Sequence, residues 1–230
     1  MRLTAVLLLL CLLVCSTALA PAAGFSALKR ARSARRSVAA VACAAADATI
    51  RETLAWLDHF VIRHNLCPFA SGVRGQTRTV VCHDDARPTE FIATEAARLR
   101  SVDPAQPATT LIVLPALSES FAELMELQEA AEACVHEDPS AAALQLLAFH
   151  PAAEFDRPDD PADVALRSPH AIIHLLRDAD VLAAEEQWAG SHAPEAAPGI
   201  QARNAAYLRG MGFEAAAAAA AEAARSPPAR

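Results

Sequence analysis

Cys67, His150 and His174 are the side chains whose types best suit chemistry. A thiol and two imidazoles supply a nucleophile, a general acid or base, and the ligand types that zinc or non-haem iron accepts. His150 follows an apolar run, Leu144 to Phe149, and precedes Pro151, which fixes the backbone so that the ring would project from a strand end into a crevice. The competing expectation is a histidine that hydrogen-bonds a neighbouring loop. His174 would reach the same crevice if its segment crosses the sheet end. It stands four residues after His170, the spacing of two ligands on one helical face, but without the glutamate of an H-E-x-x-H motif. Cys67 precedes Pro68 at the end of a helical pattern, where the helix dipole disfavours a thiolate. As a nucleophile it needs an Arg or His nearby; the alternative is a buried small apolar residue fixed by the proline turn. Spacing alone leaves open whether the three converge.

Around these sit residues with a binding or a capping reading. Arg167 and Arg177 can clamp a carboxylate or phosphate through bidentate guanidinium contacts, or pair with the acidic loop Asp156 to Asp163. Asn65 joins them as a substrate-contacting candidate. Asp84, Asp85 and Ser168 read as helix caps, with no G-x-S-x-G around the serine. Cys82 and Cys134 read as core. His59 and His64 fall on different faces of the first helix, near its surface.

Composition excludes several classes. Lys29 is the only lysine, and it lies in the first 46 residues, so the rest of the chain has no Schiff-base, P-loop or kinase-type lysine. There is no G-x-G-x-x-G fingerprint among the seven glycines. Beyond residue 46 the cysteines are Cys67, Cys82 and Cys134, an odd number without C-x-x-C spacing, which rules out a disulfide framework or four-cysteine zinc site within one chain. Free thiols suit a reducing compartment. Residues 1–46 contain six of the 20 basic side chains and none of the 27 acidic ones, so the remainder is far more acidic than the chain's net −7. Such a surface repels phosphate backbones, and nucleic acid is not an expected partner. A small-molecule ligand is; oligomeric state has no signal.

The elements that must position these residues form a single α/β domain over 47–212. Thr49 and Glu52 make a capping-box pattern ahead of Leu54, Leu57 and Val61 at helical spacing, which ends at Cys67-Pro68. Thr77 to Cys82, Thr109 to Leu114 and Leu144 to Phe149 read as strands, with helices over Pro88 to Val102 and Ser118 to His136 between them. The order is a helix followed by a β-α-β-α-β core with a small mostly parallel sheet, then C-terminal helices. Pro151 to Pro169 reads as a loop, either a lid or disordered. Ser168-Pro169 resembles an N-cap and N1 pair opening a helix through Leu176, with an edge strand over Ile172 to Leu176 as the alternative. A further helix is expected at Gly199 to Leu208. Residues 213–230 read as an Ala/Pro-rich low-complexity tail, helical along its alanine run if ordered.

Asn65-Leu66-Cys67-Pro68-Phe69, Val73-Arg74-Gly75-Gln76, Phe149-His150-Pro151, Arg167-Ser168-Pro169, His174-Leu175-Leu176-Arg177 and Arg203-Asn204 together carry a resemblance. In order and spacing, from Thr53 to Gly212, the chain resembles the bacterial domain-of-unknown-function 1415 family. It departs at His170-Ala171, where the resemblance implies Tyr-Pro. The resemblance implies relatives without implying an activity.

Residues 1–46 read as a bipartite leader. Arg2, the apolar run Leu3 to Val14 and the small residues ending at Ala20 have the form of a signal peptide. The basic, Ser/Ala-rich stretch from Phe25 has transit-peptide composition and resembles the leaders of algal plastid proteins. The expected location is the plastid stroma. The alternatives are secretion or a membrane anchor through residues 3–20; no later segment is comparably apolar, and no membrane is expected for the mature protein. The functional expectation is a small-molecule enzyme of hydrolytic or transfer type, metal-assisted if zinc or iron binds, with its crevice around Cys67, His150 and His174. The alternatives are a non-catalytic ligand- or metal-binding protein, or an accessory protein acting through its acidic surface.

Overall fold

The computed structural model describes residues 43–83, 86–138, 140–155, 157–191 and 199–229. The targeting features expected over residues 1–42, the capping roles of Asp84 and Asp85, and Asp156 lie outside the described residues. No described helix is long and apolar enough to cross a membrane.

The first helix, α1 over 43–56, widens into a π-helical turn at Leu57–Ile62. The turn is carried by i→i+5 bonds such as Leu66 N–H to the Val61 carbonyl at 2.9 Å. It is followed by the one-turn α2 (Ala70–Val73), β1 (Thr77–Val81), α3 (Pro88–Arg100), β2 (Thr109–Val113), α4 (Phe121–Val135) and β3 (Leu144–Phe149). Then come β4 (Ile172–Arg177), α5 (Asp178–Ser191), α6 (Ile200–Met211) and α7 (Phe213–Arg225). Gly212, at φ 84°, makes the left-handed break between α6 and α7.

The strand order is β1-β2-β4-β3. β1 and β2 pair in parallel, while β4 runs antiparallel to both β2 and β3. The three strands expected from the sequence therefore run in one direction, as a β-α-β-α-β order requires. The sheet as paired is mixed, because β4 enters between β2 and β3. The helix favoured over His170 to Leu176 is not formed, and the segment is not an edge strand either. Ile172, Ile173, Leu175 and Arg177 are buried, the pattern of a central strand covered on both faces. Ser168 does not cap a helix; its Oγ donates to the His170 carbonyl at 2.5 Å and closes a turn into β4.

Two cores result. On one face α3 and α4 bring Ile92, Leu99, Leu124 and Leu127 against Ile112, Leu146, Ile173 and Leu175. On the other face α1, its π turn, α6 and α7 bring Trp56, Phe60, Leu208 and Ala216 against Leu111, Val113 and Ile172. The alanine-rich segment is part of this core rather than a tail. Ala216 and Ala223, seven residues apart, are buried where the small side chain allows close helix approach. The residues after α7 are held too: the His59 Nε2–H donates to the Pro227 carbonyl at 2.7 Å, and the Ala229 N–H to Asp58 Oδ2 at 2.9 Å.

The described part of the 151–169 segment is neither lid nor disordered. It forms a 3₁₀ turn at Pro161–Leu166 with Val164 fully buried. Its Asp160 caps the Ala162 N–H at 3.0 Å and takes Arg209 of α6 at 3.0 and 2.8 Å. Those bonds hold the Asp160 carboxyl well below the usual carboxylate range.

Candidate functional site

His174 lies in the middle of β4, and its cross-strand partners are Leu111 of β2 and Leu147 of β3. Leu111 in turn pairs with Thr79 of β1. Paired residues share a face, so Thr79, Leu111, His174 and Leu147 form one row across the sheet, with Thr79 about 10 Å from His174. This row belongs to the α1/α6/α7 face, but those helices cover mainly the end of the sheet bearing Val113, Phe149 and Ile172. The other half stays open: Leu147 is 40 % exposed, Gln145 is exposed and His174 keeps partial access.

The chemistry of His174 follows from its partners. Thr109 donates its hydroxyl proton to the Leu175 carbonyl at 2.8 Å, so its oxygen accepts from His174 Nε2–H in a short hydrogen bond. Nε2 therefore carries the proton and Nδ1 is a bare acceptor, without a hydrogen-bond partner among the described residues. Burial against the sheet pushes the imidazole pKa down to about 4, so the ring is neutral at physiological pH. The Phe149 ring lies 6.1 Å from it, and Trp56 packs edge-on against Phe149 at 5.4 Å. Two buried groups of this face have no hydrogen-bond partner among the described residues, the Trp56 indole N–H and the Thr79 hydroxyl. Sequence reasoning missed Thr109, because only the register of β4 brings its hydroxyl to His174.

His150 is elsewhere. It follows Phe149 and so takes the opposite face, where it is fully buried beside Phe121 of α4, with the rings 5.5 Å apart. Both nitrogens are engaged by backbone: the Ala152 N–H donates to Nδ1 at 3.0 Å, and Nε2–H to the Leu117 carbonyl at 2.9 Å. Of its two expectations, the loop-bonding histidine is the one the structure shows.

Cys67 is exposed, not a buried apolar residue, on the turn after the π segment. That turn is built from α6. The Asn204 amide donates to the Leu66 carbonyl at 2.7 Å, Arg203 bonds the Asn65 carbonyl, and Asn65 adopts φ 52°. The Tyr207 hydroxyl, one helical turn on, meets His64 Nδ1 at 2.8 Å. Burial and the neighbouring Arg63 lower the His64 pKa. Asn65 thus serves as the left-handed residue of the turn, and the Asn-Leu-Cys-Pro and Arg-Asn motifs meet as two halves of one clip.

Among the described residues neither expected arginine pairs with the acidic loop, and both are engaged by backbone carbonyls. Arg177 is buried, ion-paired to Asp180 at 2.7 Å, and donates to the carbonyls of Val102, Asp103 and Gln106. Arg167 donates to the Ala153 carbonyl at 3.0 Å and lies over the Phe213 ring at 4.8 Å. His170, expected beside His174 on a helical face, instead pairs with Glu52 of α1 at 2.8 Å. Cys134, read as core, is exposed because the buried stripe of α4 is Leu124, Leu127, Ala131 and Val135; Cys82 is buried.

Cys67, His150 and His174 do not form a metal set. His150 and His174 are separated by the sheet, and the donor atoms of His150 are already spent. Among the described residues no three His, Cys, Asp or Glu side chains are grouped to hold a metal ion.

No curated protein and no solved structure matches the chain. A family model does, over residues 48–218, and its description is "Protein of unknown function (DUF1415)". The six motifs that drew the resemblance all fall within that span. The chain belongs to this family.

Proposed function

We propose that the protein is a small-molecule enzyme of hydrolytic or transfer type, whose ligand lies on the open half of the sheet face with His174 as its proton-handling group. The observation that supports this reading is the bare, oriented Nδ1 of a neutral histidine with solvent access. The Thr109 hydroxyl, itself fixed by the Leu175 carbonyl, locks the ring and its tautomer, as the orienting member of an acid–base pair does. Leu147 offers an apolar wall. An anionic ligand group beside Nδ1 would raise the imidazole pKa toward neutrality, so binding would take up a proton.

His174→Gln tests the reading, because its amide can still donate to Thr109 while the Nδ1 acceptor is lost. Small molecules found by thermal-shift screening of the wild-type chain are expected to lose affinity for this variant. Equal binding of every such ligand to the variant would overturn the site. Turnover of a bound ligand separates the enzyme from a non-catalytic binding protein. Among the described residues the donor set does not fit zinc or iron.

The same reading takes the plastid stroma as the compartment, on the composition of residues 1–46. A reporter fused after this segment should enter the plastid; its secretion would refute the assignment.

A further inference from the structure

The amino ends of β1 and β2 frame a depression of about 200 Å³, whose lining includes Gln76, Arg78, Arg98, Gln106 and Thr110 above Leu99. Its charge is set by three side chains. Glu95 of α3, only 7 % exposed, accepts from Arg78 Nε at 2.8 Å and Nη2 at 3.0 Å. Arg98, one helical turn beyond Glu95, acts on the same carboxylate through its charge. Two guanidinium groups thus face one carboxylate, an excess of one positive charge in a chain of net −7. The Arg78–Glu95 pair leaves Arg78 Nη1 unused, and the Arg98 guanidinium makes no hydrogen bond or ion pair among the described residues.

The rim opposite is tied by hydrogen bonds. Arg177 gathers the carbonyls of Val102, Asp103 and Gln106, and its partner Asp180 also accepts the Ala108 N–H at 3.2 Å. The acidic groups of this rim are occupied as well, Asp180 by Arg177 and Asp103 by the Ala105 N–H at 2.9 Å. The loop is therefore held in place before any ligand arrives, which lowers the ordering cost of binding.

We propose that this depression binds a small ligand through a carboxylate or phosphate group, with Arg98 and the free Nη1 of Arg78 as charged donors and the Gln76 and Gln106 amides as neutral ones. Guanidinium groups in a partly enclosed site favour planar or tetrahedral oxyanions. The proposal does not depend on the role of His174. Thr109 lines this depression and also carries the hydroxyl that orients His174, so both features share one strand end.

The test is a titration of the full chain with inorganic phosphate and, separately, succinate at low ionic strength, followed by amide and arginine Nε NMR shifts. Saturable shifts centred on Gln106, Thr110 and Arg98 are expected, and the tighter probe identifies phosphate or carboxylate as the preferred group. Arg98→Gln, an exposed change that leaves the Arg78–Glu95 pair in place, should weaken binding by roughly tenfold or more. Arg87→Gln, outside the depression, should bind as wild type. Unchanged affinity in Arg98→Gln, or no saturation with either probe at tens of millimolar, would overturn the proposal.

Discussion

The side-chain amide of Asn204 donates to the carbonyl oxygen of Leu66 at 2.7 Å, across 138 positions of sequence. With Arg203 on the Asn65 carbonyl, it ties the turn that displays Cys67 to α6. Asn204→Ala leaves the Leu66 carbonyl without its partner and should cost about 1–2 kcal/mol, read as a lower denaturation midpoint. The loosened turn should also let an alkylating reagent reach Cys67 faster than in wild type. An unchanged labelling rate would mean that the turn holds without its clip.

His150→Ala should destabilise the fold by about 3 kcal/mol or more, because it opens a cavity and strips partners from the Leu117 carbonyl and the Ala152 N–H. Thermal and urea unfolding measure this directly. Elemental analysis of protein purified without chelator should find no equivalent of zinc or iron that disappears in a folded His150→Gln variant. One equivalent lost on that substitution would show that the imidazole serves a metal after all.

His174 makes stability depend on pH in one direction. Its folded pKa, about 4, lies below the ordinary 6.5, so between these values the unfolded chain binds a proton that the folded chain refuses. The stabilisation is fully present above about pH 6.5 and is lost progressively down to about pH 4, by up to roughly 3 kcal/mol. Urea midpoints across this range should flatten in His174→Gln relative to wild type. NMR titration of the His174 ring should show it neutral throughout the upper part of that window.

Arg177→Lys keeps the charge but cannot reach Asp180 and the carbonyls of the 102–106 loop together. A loss of about 3 kcal/mol is expected, in the range for breaking a buried ion pair. Faster amide exchange around Gln106 is the local signature. A variant as stable as wild type, with unchanged exchange, would show that the loop is held from elsewhere.

Much of the architecture was legible because its strands are short apolar runs bounded by helical periodicity. Thr77 to Cys82, Thr109 to Leu114 and Leu144 to Phe149 each agree with the observed strand to within one residue. β4 was misread because Ser168-Pro169 imitates a helix start and because a doubly buried strand has no alternation to distinguish it from a helix. Without the register of β4, nothing places His174 on the opposite face from His150 or opposite Leu111 and Thr79. The π turn was equally invisible, since Leu57, Phe60 and Val61 keep an ordinary helical spacing. Arg167 and Arg177 have the composition of a ligand clamp and the positions of structural ties; only their carbonyl partners distinguish the two.

The placement of β4 also governs the order in which the molecule can assemble. β2 and β3 have no pairing with each other and are joined only through β4, which follows them in the chain. Until residues 172–177 are available, β2 offers an unpaired inner edge and β3 is a strand with no sheet. A chain delivered amino end first, by synthesis or through a membrane pore, would carry these apolar edges exposed for most of its passage, open to pairing with other chains. Closure is then a late event of long sequence separation, and the second core still waits for Leu208, Ala216 and Ala223 of α6 and α7. Covering the edges of β2 and β3 until residues 172–177 have emerged should raise the yield of folded chain.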